Sequence, residues 1–312
     1  MPLGSELDGG FADLLGLLRS VGAPGSFDGE PDEMRARMTQ AVEGGWNPAA
    51  FAPIASEEDV AVGRLRLKVF RPEAVEPVPT VLYFHPGGFV MGSAHLMQDV
   101  ARRLSHELSA VVVSVDYRLA PENPFPAAVE DASAALDWVR ANIDRLGADA
   151  GRIGLAGESS GGNLAAVTAL LAARSGNPVR ALLLASPVTD FTASYPSMTE
   201  NATGYFFEAE DLTVISKLYF RGDREAAQDA RVSPALAEDL GELPPTVVGV
   251  AGFDPLRDDG VVFAARLLQA GVPATLRVYS GLIHPFFGMP AVSPGADRAV
   301  TELTALFAAA LG

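Results

Sequence analysis

The chain has 312 residues, 48% of them hydrophobic and 20% charged, enough apolar material for a full globular core and too little charge for a disordered chain. Its net charge of −16 and the lack of any basic run argue against a nucleic-acid partner, which needs cations to neutralise phosphates. There is no cysteine, so disulfides, thiolate catalysis and cysteine-bound metals are excluded together.

The start of the chain has neither a basic stretch nor a long apolar core, so no signal peptide is expected, and no apolar run reaches the ~20 residues of a membrane span. A cytoplasmic protein is the expectation. The first 50 residues read as short helices, "FADLLGLLRS" and "PDEMRARMTQAVEGG", separated by "VGAPGSFDGE". "VGRLRLKVFRP" then alternates like a strand. After it come "VLYFH" (81–85), "VVVSVDY" (111–117), "RIGLAG" (152–157), "ALLLASPV" (181–188), "TVVGVAGF" (246–253) and "TLRVYS" (275–280). These runs are apolar and β-branched, as in strands buried on both faces. Helical patterns lie between them: "AHLMQDVARRLSHEL", "AAVEDASAALDWVRANI", "GNLAAVTALLAARSG" and "DDGVVFAARLLQAG". The alternation predicts an α/β fold with a mostly parallel central sheet flanked by helices. One interval is too long. About 190–232 separates two strands and carries "EAEDLTVISKLYFRG" with Tyr205, Phe206, Phe207, Tyr219 and Phe220, which suggests an insertion lying over the sheet.

Within "GLAGESSGGN" (154–163), Ser159 follows a strand and precedes a helix, flanked by Gly157 and Gly161. That is the setting of a G-x-S-x-G nucleophile elbow, whose sharp turn leaves no room for neighbouring side chains and lifts the hydroxyl above the sheet edge. Ser160, the next residue, would offer only its backbone amide to an oxyanion. A nucleophilic serine needs a base. Of the four histidines only His284 follows Ser159, as the Ser–acid–His order of such folds requires, and it lies just past a strand. The acid must fall between them. Asp254 directly follows "TVVGVAGF"; Asp258 is the alternative, although Asp258 and Asp259 also suit a cap on the next helix. Gly87 and Gly88, just past "VLYFH", can present bare amides at close approach.

These pieces together resemble the hormone-sensitive lipase family of microbial esterases. "HPGGFVMG" (85–92) matches that family's H-G-G-G segment, "GESSGGNLA" its G-D-S-A-G-G and "HPFF" its H-G-F; "DYRLAPENPFPAAVED" (116–131) and "DPLRDDG" (254–260) are also similar. The resemblance spans about 60–310 and implies an α/β-hydrolase fold with a helical cap. The cap would be 1–50 plus the insertion 190–232, and the hydrolase core 51–189 plus 233–312. It implies hydrolysis of small-molecule carboxylic esters of short to medium acyl chain by Ser159, Asp254 and His284 through an acyl-enzyme. The oxyanion hole would be Gly87, Gly88 and Ser160, with Phe89, Leu282, Phe286 and Phe287 as candidate pocket residues. No metal or cofactor is implied, and a homodimer through the edge of the last strand is. Amide hydrolysis on the same triad is the alternative reaction. A binding protein on this scaffold, like the plant gibberellin receptors that resemble the family, would lack the histidine that is present here. The chain departs from the family pattern at Pro86, Glu158, Ser160 and Pro285, and Pro86 bears on the oxyanion loop because proline has no N–H. The family's donors correspond to Gly87 and Gly88, so the expectation is that Pro86 stiffens the loop and leaves the hole intact.

Overall fold

The computed structural model describes residues 6–45, 47–75 and 77–312; Trp46, Glu76 and the first five residues of the expected 1–50 segment lie outside the described residues. Two helices come first, α1 (Gly9–Ser20) and α2 (Pro31–Gly45). Strands β1 (Ser56–Val62), β2 (Leu65–Arg71) and β3 (Val78–Phe84) lead to α3 (Gln98–Leu108) and β4 (Val111–Asp116). The chain continues through α4 (Ala127–Ala141), β5 (Ala148–Glu158), α5 (Ser160–Arg174) and β6 (Ala181–Ala185). Three helices follow, α6 (Pro196–Glu200), α7 (Ala209–Tyr219) and α8 (Arg224–Gln228), and then β7 (Thr246–Phe253), α9 (Arg257–Gln269), β8 (Ala274–Ile283) and α10 (Pro294–Leu311).

The strands form one sheet in the order β1-β2-β4-β3-β5-β6-β7-β8. β1, β2 and β4 pair antiparallel, and every pair from β4 across to β8 is parallel. This is the expected α/β-hydrolase fold. Outside the long insertion, β1 and α10 lie outside the runs singled out in the sequence. β1 reads "SEEDVAV" and is mostly exposed at the sheet edge, so it carries no buried face for a pattern to reveal. β8 corrects the expectation of burial on both faces. It is only half-buried until Leu282 and Ile283, because it forms the other edge.

Each face of the sheet has its own core. One joins residues of α4, α5 and α9 to Phe89, Phe27, Met34 and the α7 side chains Leu212, Ile215 and Tyr219. The other joins α1, α3 and α10, with Phe11, Leu15, Leu104, Leu303 and Phe307. Among the described residues no helix is long and apolar enough to cross a membrane.

Candidate active site

Parallel strands put their C-terminal ends on one edge, where open α/β sheets collect reactive groups. β3 ends before Gly87 and Gly88, β5 before Ser159, β7 before Asp254 and β8 before His284.

The turn at Ser159 has the tight geometry that its flanking glycines suggest. β5 ends at Glu158 and α5 starts at Ser160, and Ser159 itself takes φ 56° and ψ −120°, a backbone state rare for a residue with a side chain. The close approach explains the glycines. A Cβ on Gly157 would collide with the Gly161 carbonyl, and one on Gly161 with the Phe84 carbonyl of the neighbouring strand. The Ser159 amide donates to the Ala185 carbonyl at 2.9 Å and ties the turn to β6.

His284 bridges the other two groups. Its Nε2 lies 3.1 Å from Ser159 Oγ and its Nδ1 3.0 Å from Asp254 Oδ2. All three are buried. The second Asp254 oxygen accepts from the Leu256 amide at 2.7 Å, which fixes the carboxylate's orientation. Burial pushes the imidazole's pKa down, but the Asp254 charge and hydrogen bond, with Glu158 and Asp211 behind them, outweigh it and hold the pKa above its ordinary value. Asp258 is not brought to His284. Its carboxylate accepts from the Ser197 amide at 2.9 Å and from Arg257. Asp259 is also spent elsewhere, on the Thr189 amide and hydroxyl. The two therefore brace the 189–197 segment and do not cap α9, a correction to the sequence reading.

Gly87 and Gly88 have φ of 127° and 63°, and among the described residues neither amide donates to another protein group. Ser160 opens α5, so its amide is one of the free first-turn donors. A Cβ on Gly88 would lie 2.7 Å from the Phe27 ring and 2.8 Å from Ile215, so both side chains roof this loop. Pro86 keeps its carbonyl on His85 Nδ1 at 2.8 Å, and the His85 ring stacks on Tyr117 with centroids 4.1 Å apart. The Tyr117 hydroxyl donates to the His85 carbonyl at 2.8 Å, which gives part of the "YRLAPE" segment a physical task beneath the loop.

The four candidate pocket residues are buried in the two cores. Phe89 is fully buried and stacks on Tyr219 at 3.8 Å. Leu282, Phe286 and Phe287 belong to the core on the α1, α3 and α10 face. The ring that meets His284 is Phe207, with centroids 4.6 Å apart, and Phe27 meets Phe207 edge-on at 6.1 Å. Phe207 belonged to the aromatic set of the insertion, but Phe27 sits in a stretch that reads only as a separator. Asn201 carried no sequence signal either. Its side chain donates to the carbonyls of Gly252 and Asp254, both at 3.1 Å, and holds the backbone of the acid.

A family model described as the alpha/beta hydrolase fold matches residues 81–288. The chain is 43% identical over 225 residues to the esterase LipI of Mycobacterium tuberculosis, covering 72% of this chain and 70% of that one. It is 37% identical over 275 residues to the carboxylesterase NlhH of the same organism, covering 85% of each. The structure of a hyperthermophilic esterase from the archaeon Pyrobaculum calidifontis superposes with a TM-score of 0.91 at 36% identity, over 99% of this chain and 100% of that one. A buried serine–histidine–aspartate line at the carboxyl edge of this sheet, in a chain so close to these proteins, belongs to the hormone-sensitive lipase family of carboxylesterases with the alpha/beta hydrolase fold.

Proposed function

We propose that this carboxylesterase cleaves its ester with Ser159 as nucleophile, His284 as general base and Asp254 as the group that orients the base. One observation carries the reading: His284 lies within hydrogen-bond reach of both Ser159 Oγ and Asp254 Oδ2. In the first half-reaction His284 Nε2 takes the Ser159 proton as Oγ attacks the carbonyl carbon. The carbonyl oxygen becomes an oxyanion, held by the amides of Gly87, Gly88 and Ser160. Collapse breaks the C–O bond, and the imidazolium returns its proton to the leaving alcohol. In the second half-reaction His284 activates a water that releases the acid from the acyl-enzyme. Asp254 stays ionised and stabilises the imidazolium. No metal or cofactor enters the scheme.

The segment 1–50 and the insertion 190–232 are proposed to form one cap over a core of 51–189 and 233–312. Supporting this, Phe27 from the first and Phe207 and Ile215 from the second meet above His284 and Gly88. So close a roof favours short to medium acyl chains, about two to eight carbons by the family resemblance. A homodimer through the outer edge of β8, the last strand of the sheet, and a cytoplasmic place, suited to a chain with no cysteine, complete the proposal. The test is nitrophenyl ester hydrolysis across acyl lengths by the parent, Ser159→Ala and Ser160→Ala. The expected result is a short-chain optimum, near-total loss in Ser159→Ala and a far milder effect in Ser160→Ala. Rates climbing steadily to long chains, or the reverse ranking of the two variants, would overturn it.

A further inference from the structure

We propose that Glu158 is a positioning residue for the base: its carboxylate, one residue from the nucleophile, holds the turn that carries His284 and faces the imidazolium that forms there. The inference rests on the triad reading above.

Glu158 ends β5, directly before Ser159, and is completely buried. Its Oε1 accepts the Phe287 amide at 2.8 Å. Phe287 lies three residues beyond His284, on the turn that leaves β8. Gly288 approaches the other oxygen so closely that a Cβ there would sit 2.9 Å from Oε2. One side chain thus fastens the base's turn to the nucleophile's strand, so a shift of either is passed to the other. Triad geometry is sensitive at this scale, since a displacement of about 1 Å can cost ~10²-fold in rate.

Filling space does not explain the residue. Among the described residues no close hydrogen bond falls on Oε2, which has only the pull of the nearby Gly288 amide, and a buried carboxylate oxygen so poorly paired is costly where an apolar side chain would not be. Its charge has a use nearby. The groups facing it are His284 on the turn, Asp254 after β7 and Tyr83 on β3; Tyr83 in turn faces Asp99 of α3, and His284 also faces Asp211 of α7. Burial raises the Glu158 pKa to about 7, against the opposing pull of His284 and of the Phe287 and Gly288 amides. The carboxylate and imidazolium favour each other's charged forms, so the ionised Glu158 adds to Asp254 in stabilising the proton that His284 takes from Ser159.

The experiment compares kcat and KM for nitrophenyl butyrate between pH 5.5 and 9 in the parent, Glu158→Gln and Glu158→Ala, with near-UV circular dichroism to confirm folding. Glu158→Gln keeps a carbonyl acceptor for the Phe287 amide but loses the charge. Its acid limb should move to lower pH by about half a unit or more, since His284 loses a charge that raised its pKa. Glu158→Ala loses both, and kcat should fall about 10–100-fold with KM within about twofold. An acid limb unmoved in a folded Glu158→Gln overturns the inference alone, as does a Glu158→Ala loss that appears only in KM. If Glu158→Ala does not fold, the Glu158→Gln profile decides by itself. A parent inactive on the ester would instead remove the triad reading on which the inference stands.

Discussion

Pro86 and Gly88 are two residues apart in the loop after β3, and their backbones show why one can be proline and the other cannot. Proline fixes φ near −65° and has no N–H. Gly88 has φ 63° and an amide free to meet an oxyanion, whereas Pro86 contributes only its carbonyl, to His85. Pro86→Gly should therefore keep kcat within a few-fold and lower stability by roughly 0.4–1 kcal/mol, through a looser unfolded chain. Gly88→Pro should lose on the order of 10²–10³ in rate from the missing donor, with more from a φ it cannot reach. Steady-state kinetics and denaturant titration of both variants decide it, and equal kinetic losses would mean the donors are misassigned. At this scale the sequence was most readable for residues whose type is forced by geometry: Ser159 between close-packed glycines, and a single histidine in the right order. It was least readable where burial decides the surroundings. Phe89, Phe286 and Phe287 stand beside site residues in sequence but point into the two cores, while Phe27 and Asn201 reach the site from distant segments that show no local pattern.

At the scale of elements, α2 is fastened beside the Gly87–Gly88 loop by one arginine. Arg35 donates to the Val90 carbonyl at 2.9 Å, to the Ala120 carbonyl at 2.9 Å and through both terminal nitrogens to Glu122 at 2.8 and 2.6 Å. It thus joins the N-terminal helices to both the Gly87–Gly88 loop and the "YRLAPE" segment. A planar fork can satisfy a carboxylate and two carbonyls together, and lysine cannot. Arg35→Lys and Arg35→Ala should both loosen α2 and the 22–30 stretch that carries Phe27. The expected outcome is faster limited proteolysis in that stretch and a raised KM, with kcat much less affected. Unchanged cleavage kinetics would show that the apolar contacts of Phe27 and Met34 hold the segment without it. The helices and most strands were legible because they repeat apolar residues at their own period. The insertion was legible only as an interval too long for a connection. Its division into α6, α7 and α8 and its seat on Phe89 and Gly88 depend on contacts between segments, which no local pattern records.

The whole molecule carries a net charge of −16 and several carboxyls held off their ordinary pKa values. Burial raises Glu158 and Asp259 to about 7 and Asp211 to about 6. A carboxyl raised by folding contributes stability that is full below its unfolded pKa and lost as pH climbs through the folded one. Arginine partners lower Glu122, Asp229 and Asp239, whose contribution is present above the unfolded pKa and lost as pH falls. The lowered set needs a pH above about 4 and the raised set fades steadily towards about 7, which leaves a window near about pH 4.5–6, and easing self-repulsion favours the same range. The apparent Tm should drop by at least about 2–4 °C from pH 6 to pH 8.5, a decline that added salt reduces. A Tm flat or rising over that range in differential scanning fluorimetry would contradict this account. Acidity was plain from composition, but which carboxyls are buried was not, because Glu158 and Asp259 lie in motifs that look polar and exposed.

As nucleophile, Ser159 must form a covalent intermediate. That is tested most directly by treating the native protein with a fluorophosphonate and mapping the adduct by peptide mass spectrometry. One adduct per chain is expected, on Ser159, with esterase activity lost in proportion to labelling. An adduct on any other residue, or full activity in protein labelled to completion at Ser159, would contradict it.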